Sequence, residues 1–486
     1  MEVENNIAAA ARSSNAVTKL ALVQDEVRSG MNRGEWKAGE KLPSVRSMAE
    51  RLGVHRLTVL KAYRLLEEEG ILSSRYKNGY YVRAREDART ISPDGEAAPG
   101  WAYAAAPGYV NRSRLSDIHS VQVSHPMSEA LIDPALLPNR FLSNHVKQVL
   151  DLHPMVLSTY STVLGDPELR EALSAFFAEA HGIDVEAGEL LITSGSQQAI
   201  DLVSRSLVKP GDRVLIERPT YSPAIDVFQQ QNIVLLPVEL TAEGYDLDAV
   251  EALMEKEKPR LFYMNPTFHN PTGYTVPAEQ RKLLVELAER HDCILVEDDV
   301  YHDIYFDQPP PPPLFYYDTE GYVVYIRSFS KYIAPGLRIS VLAARPSVME
   351  GIRPLKALSD SGSPLLNQKI FQHYFFSSRM QEHVQKLRTA VRMRKDAMEQ
   401  ALARTGWSWD SPAGGLNLWI SLPDGIPADL LLERCLARSV AFVPGSICDP
   451  LGDMNARIRL SYSFLSEKRI AEAVEQLIQA AEELRR

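Results

Sequence analysis

Apolar residues recur at two different periods along the chain, and the change of period divides it. Between residues 16 and 33, Leu20, Val23 and Val27 fall at helical spacing. Within KLPSVRSMAERLGVHRLTVLKAYRLLEEEG, Val45, Met48 and Leu52 predict a short helix that Ser44 can cap. Gly53 suits the left-handed residue that ends it. Val59, Ala62 and Leu66 predict a second helix beginning near His55. Helix, glycine turn, helix is the helix-turn-helix pattern. Two strand-like runs then flank Lys77-Asn78-Gly79, and Asn-Gly favours a tight hairpin.

From about residue 123 the pattern changes. Short apolar runs (ELLIT, DRVLIE, RLFYMN, CILVEDD) alternate with helical stretches such as PAEQRKLLVELAERHD. That alternation predicts an α/β fold around a largely parallel sheet. Ligands in such sheets bind beyond the carboxyl ends of the strands. The polar residues that follow each run are therefore the candidates for chemistry. Between the two patterns lies SPDGEAAPGWAYAAAPG (92–108), with 3 Pro, 3 Gly and 6 Ala. Proline and glycine interrupt helix and strand alike, so this stretch predicts a linker. The division expected is a reader head over 16–84, a linker over 85–122 and a body over 123–486. Five prolines at 309–313 predict a stiff surface loop.

Composition narrows the class. The chain has 486 residues, 45% apolar and 24% charged, ordinary globular values. Three cysteines are too few for a disulfide scaffold or a zinc cluster, so no metal is expected. No apolar run reaches membrane-spanning length, and the N-terminus lacks the pattern of a secretory signal. The expectation is a cytoplasmic protein without a membrane partner. The net charge of -10 on its own argues against nucleic acid. Its distribution reverses that argument: residues 16–85 carry +6, residues 1–15 carry -1, and the remaining 401 carry -15. A basic head on an acidic body points to double-stranded DNA as a partner of the head.

The second helix of the head would enter a major groove, presenting His55, Arg56, Thr58 and Lys61. Arg75 and Lys77 of the hairpin could reach phosphates. Any one of these is ordinarily a solvated surface group. The whole string, however, resembles the winged helix of GntR-type regulators, LPSxRxxAxxLGVxRxTVxxAYxxLxxEG followed by a glycine wing. The resemblance implies DNA contacts at Arg46, His55, Arg56 and Thr58, with Gly79 in the wing. His55 and Leu57 stand where small hydroxyl residues are usual, so a different base preference is expected.

In the body, four segments carry chemistry. LLITSGSQQAIDLVSR reads as strand, turn and helix, and sets Gly195, Ser196 and Gln197 where backbone amides and a helix dipole can hold a phosphate. YMNPTFHNPTG places Asn270 in a Pro-Gly loop after a strand. CILVEDDVYHDIYF ends a strand with Asp298 and sets Tyr301 three residues on. SFSKYIAPGLR places Lys331 between Ser328 and Arg338, where a lysine of depressed pKa can form a Schiff base. Separately these read as a helix start, a turn, a cap and a surface lysine. In order and spacing together they resemble the class I/II aminotransferases, the fold-type I pyridoxal 5'-phosphate enzymes.

That resemblance implies a role for each residue. Lys331 would bind the cofactor covalently and later move the α-proton. Asp298 would keep the pyridine nitrogen protonated. Asn270 and Tyr301 would hydrogen-bond the phenolic oxygen, and Tyr221 would stack on the ring. Ser196, Gln197, Ser328 and Arg338 would hold the phosphate. Tyr160 resembles the tyrosine that reaches the phosphate of a neighbouring subunit, which implies a homodimer. In NARIRLSYSF, period two puts Arg457, Arg459 and Ser461 on one strand face and does not choose between the arginines. The family pattern Arg-Leu-Ser-aromatic selects Arg459 for the substrate carboxylate. Ser340 stands where a glycine is usual, with an effect expected on packing near Arg338.

A GntR-type winged helix, a linker and an aminotransferase-like body resemble the MocR subfamily of bacterial regulators. The leading expectation is a dimeric transcription factor that senses an amino acid or amine through its cofactor. A second reading is a working transaminase with a DNA-binding head, since Asn270 leaves the catalytic set complete. A third, a body that only dimerises, is opposed by Lys331, Asp298 and Arg338.

Overall fold

The computed structural model describes residues 40–68, 72–75, 79–82 and 113–485, Asp424 excepted, with shorter stretches between 22 and 36. The chain forms two compact units, Met1–Ala104 and Ala105–Arg486. Among the described residues no helix is long and apolar enough to cross a membrane.

In the first unit, α1 (Val45–Leu52) and α2 (Arg56–Glu68) form the helix pair. Ser44 caps α1 by accepting from the Ser47 amide at 3.2 Å. Gly53 closes it at φ 62, a left-handed conformation that a side chain would strain. Met48, Val59, Ala62 and Leu66 are buried together with Val23, Val27 and Trp36. Buried Tyr63, of the Ala-Tyr pair in the GntR-like string, donates to the Pro43 carbonyl at 3.0 Å. Strands β1 (Leu72–Arg75) and β2 (Gly79–Val82) pair antiparallel with Arg75 opposite Gly79. Leu20 and Lys77 lie outside the described residues.

The second unit is built on a seven-stranded sheet. Its strands are β3 (Leu190–Thr193), β4 (Arg213–Arg218), β5 (Val234–Glu239), β6 (Leu261–Met264), β7 (Ile294–Asp299), β8 (Val323–Ser328) and β9 (Ser340–Ala343). Their order is β3-β9-β8-β7-β6-β4-β5. The pairs β4/β5, β4/β6, β6/β7 and β7/β8 are parallel, whereas β9 runs antiparallel to both its neighbours. Alternate residues enter different cores. Leu190, Ile192, Leu215, Phe262 and Leu295 join one; Leu191, Val214, Ile216, Tyr263 and Val296 join the other. Both faces are thus covered, which is why the strands read as continuous apolar runs. A four-stranded sheet follows: β10 (Ser408–Trp409), β11 (Asn417–Ser421), β12 (Val443–Pro444) and β13 (Arg457–Ser461), in the order β10-β11-β13-β12. The mixed α/β fold with an N-terminal helix-turn-helix is the one the residue pattern predicts.

One expectation needs correction. The linker expected over 85–122 ends sooner, because residues 113–122 belong to the body. Here α3 (Arg114–Ser120) buries Leu115 and Ile118, Leu115 among Trp419, Val443 and Cys448. Arg114 also donates to Asp429 at 2.7 Å. The five prolines lie in a loop between β7 and β8, with Pro309 and Pro312 exposed. The Pro312 carbonyl accepts from buried Arg281 at 3.1 Å.

Candidate functional site

A cavity of about 340 Å³ opens at the carboxyl ends of the strands. Gly195, Ser196, Gln197, Tyr221, Asn270, Asp298, Tyr301, Ser328, Lys331, Arg338 and Arg459 all line it. Residues far apart in the sequence therefore converge, carried there by strand ends and the loops after them.

One end suits a phosphate. Gly195 precedes α4 (Ser196–Leu207) at φ 95, and no side chain caps the helix. A Cβ on Gly195 would lie 2.3 Å from Nη2 of Arg338, so only glycine lets the guanidinium reach this helix start. Arg338 donates from Nη2 to the Ser194 carbonyl at 3.1 Å. Helix amides, an arginine and the hydroxyls of Ser328 and Ser330 meet here.

The floor suits a cationic ring. Glu297, Asp298 and Asp299 are consecutive and all buried on β7. Glu297 faces Arg281 at 3.7 Å, and Asp299 accepts from His302 at 2.7 Å and Arg327 at 3.0 Å. The Asp298 carboxyl accepts from the Tyr263 hydroxyl at 2.7 Å at Oδ2, and among the described residues its Oδ1 has no hydrogen-bond partner. Burial pushes the Asp298 carboxyl up to about 7, with Asp299 and Glu217 adding to the rise against Tyr263 and Lys331. A buried carboxylate of this kind lacks a cation. A protonated pyridine nitrogen supplies one.

Lys331 is the primary amine of the set. Burial first, then Arg459 and Arg338, lower its ammonium to about 8. Its Nζ donates to the Ala130 carbonyl at 2.9 Å. Tyr221 is raised above the usual tyrosine range by burial, and then by Asp298, as is Tyr301 by burial, so both rings carry intact hydroxyls near neutrality. Arg459 is buried on β13 while Arg457 is exposed. Arg459 donates from Nη1 to Asn270 Oδ1 at 2.9 Å and from Nη2 to the Ser128 carbonyl, and its Nε has no partner.

The lysine, the acid lacking a cation and the glycine-arginine cradle fit pyridoxal 5'-phosphate atom class by atom class. Tyr160 does not join them in this chain: it is 93% exposed. Ser340 lies on β9 with its hydroxyl buried and unpartnered, beside Thr193 and Ser328 in the sheet. The sequence reading missed Asn265, Ser330, His119 and Glu129, which also line the cavity. Asn265 accepts from the Asn270 amide at 2.8 Å and donates to the Asp298 carbonyl, holding the two loops together. Its place at the end of the RLFYMN run was the available signal.

In the head, Arg46, His55, Arg56 and Lys61 are exposed and Thr58 is half-buried, all at or near the start of α1 or α2. Arg46 pairs with Glu50 at 3.1 Å on the surface of α1. Gly79 begins β2.

Residues 139–477 match the model of the class I and II aminotransferases, and residues 21–82 match that of the gntR family of bacterial regulatory proteins. The chain belongs to the class I and II aminotransferase family and carries a GntR head. This is the MocR-type arrangement. The 2-aminoadipate transaminase of Thermus thermophilus is 37% identical over 71% of this chain and 86% of its own length. The uncharacterized HTH-type transcriptional regulator YisV of Bacillus subtilis is 30% identical over 91% of this chain and 92% of its own. The crystal structure of LysN, an α-aminoadipate aminotransferase from Thermus thermophilus complexed with N-(5'-phosphopyridoxyl)-L-leucine, superposes with a TM-score of 0.73. It is 34% identical and covers 79% of this chain and 99% of that one. Aminotransferase relatives thus match the body, whereas relatives named as regulators match the MocR-type chain almost end to end.

Proposed function

We propose that the protein is a cytoplasmic transcriptional regulator that binds operator DNA through its winged helix and senses an amino acid or amine through pyridoxal 5'-phosphate. The observation that carries this reading is the joint presence, in one chain, of the Lys331–Asp298 cavity and the helix-turn-helix. When bound, the cofactor supplies an electrophilic carbon and an electron sink. The chain's residues do the rest. Lys331 holds the carbon and moves a proton at Nζ. Asp298 keeps the ring nitrogen protonated, and Asn270 and Tyr301 orient the ring oxygen. Tyr221 covers the ring, and Ser196, Gln197, Ser328 and Arg338 hold the phosphate. Arg459 takes the ligand carboxylate in bidentate fashion.

The working unit we infer is a homodimer. Tyr160 is exposed beside Leu152, Met155 and Leu157, each more than half exposed, an apolar surface of the kind that marks an interface. Tyr160 would complete the partner's phosphate site. Two heads would then address two half-sites, with contacts from Arg46, His55, Arg56, Thr58 and Lys61, and from Lys77 and Gly79 of the wing.

The test is spectral and then functional. Protein purified with cofactor absorbs in the visible, and Lys331→Ala abolishes that band. Addition of an active amino acid changes both the band and operator affinity. A colourless holoprotein, or operator binding indifferent to every amino acid that changes the spectrum, overturns the reading. The second reading, a transaminase, is favoured by the retained Asn270 in contact with Arg459. Sustained turnover with a keto-acid acceptor would establish it.

A further inference from the structure

The cavity has a second polar wall that the cofactor does not need. It is formed by Leu115, His119, Glu129, Ala130 and Leu131. Two hydrogen bonds fix this wall. Arg459 donates to the Ser128 carbonyl, and Lys331 donates to the Ala130 carbonyl at 2.9 Å. Glu129 stands between Ser128 and Ala130 in the chain and lines the same cavity. Among the described residues its carboxylate has no hydrogen-bond or ion-pair partner. The other carboxylate of the cavity, Asp298, is engaged by Tyr263. His119 approaches the Ser128 carbonyl at 3.4 Å. Burial, Arg459 and Lys331 hold its pKa down against Glu129, so it is neutral near pH 7 and adds no cation.

We propose that the ligand is an amino acid whose side chain bears a cation, an amine or a guanidinium, and that Glu129 reads that charge. This rests on the amino-acid-sensing reading given above. With the ligand carboxylate on Arg459 and its α-amine at Lys331, the side chain is left at the Glu129 wall. A basic side chain gives the carboxylate its missing partner. A neutral one leaves it unpaired inside a filled cavity, and an acidic one sets two like charges together. The order of affinity is therefore basic, then neutral, then acidic. A relative named for 2-aminoadipate, an amino acid with an acidic side chain, would be served by a different wall.

The experiment uses the full-length holoprotein and three ligands of similar length: lysine, norleucine and 2-aminoadipate. Binding is read by the change in visible absorbance and by the shift in melting midpoint. Lysine should bind about tenfold or more tighter than norleucine, the worth of one charge-assisted contact, with 2-aminoadipate weakest. In Glu129→Gln, which keeps shape and removes charge, lysine should fall to the level of norleucine, and norleucine, no longer burying an unpaired charge, should bind at least as tightly as in wild type. Norleucine binding as tightly as lysine, or an unchanged preference in Glu129→Gln, overturns the proposal and leaves the sensing reading standing. A coloured protein that responds to none of the three also overturns the proposal, whereas only a colourless holoprotein overturns the sensing reading with it.

Discussion

Replacing Gly195 by alanine tests the phosphate cradle at the point where backbone and side chain meet. Gly195 sits at φ 95 and ψ 162, a region that residues with a Cβ scarcely occupy. The added methyl would lie 2.3 Å from Nη2 and 2.8 Å from Cζ of Arg338. The guanidinium is the free end of a long side chain, so it swings away rather than forcing the strand apart. Two separable effects follow. Backbone strain costs about 1–3 kcal/mol, read as a lower melting midpoint of the cofactor-free protein. Displacement of Arg338 removes a charge-assisted phosphate contact of about 1.5–3 kcal/mol, hence a loss of about 10- to 150-fold in cofactor affinity. Titrating pyridoxal phosphate into wild type, Gly195→Ala, Arg338→Ala and the double variant, with visible absorbance as the readout, closes the cycle. If the methyl acts through Arg338, it adds little once the arginine is gone. Wild-type affinity in Gly195→Ala, or full additivity in the double variant, refutes the reasoning.

Asp298 gives a pH signature. Its folded pKa, about 7, exceeds the usual 3.8, so cofactor-free protein should lose stability as pH rises from about 4 through 7. Asp298→Asn should flatten that slope, and equal slopes in melting runs from pH 5 to 8 would count against it. Arg281 is fully buried and donates to Val276, Pro312, Pro266 and Thr267 beside Glu297, so Arg281→Ala should cost about 3–5 kcal/mol in urea unfolding; less than about 1 kcal/mol would show the network to be dispensable. In the head, Arg56→Ala should weaken binding to the promoter beside the gene and lower the salt slope by about one; unchanged binding would move the recognition surface elsewhere.

How far the site was readable depends on where each residue lies. Residues that follow an apolar strand run could be read, because the alternation of strand and helix marks such places. Asp298 and Lys331 are of this kind. Period two left Arg457 and Arg459 equivalent, so in the sequence only the family pattern chose Arg459; in the fold Arg459 is buried and Arg457 exposed. Tyr263 sits inside an apolar run, where its ring looks like core; that its hydroxyl meets Asp298 depends on the register of β6 against β7. Glu129 and His119 carry no motif, and their segment reaches the cavity only because α3 packs on the smaller sheet. That long-range contact also explains why the expected linker was drawn too long. The Ser44 cap and the Gly53 turn, by contrast, are local, and the chain folds there as its spacing predicts.

The placement of α3 bears on how a small molecule could command a DNA-binding module. Leu115 and His119 belong to the wall that a ligand touches, and Arg114 begins the same short helix. The chain running back from that helix is the tether of the head. Ligand wall and tether are therefore one continuous piece of polypeptide. A signal need not cross the seven-stranded sheet or pass through a relay of side chains.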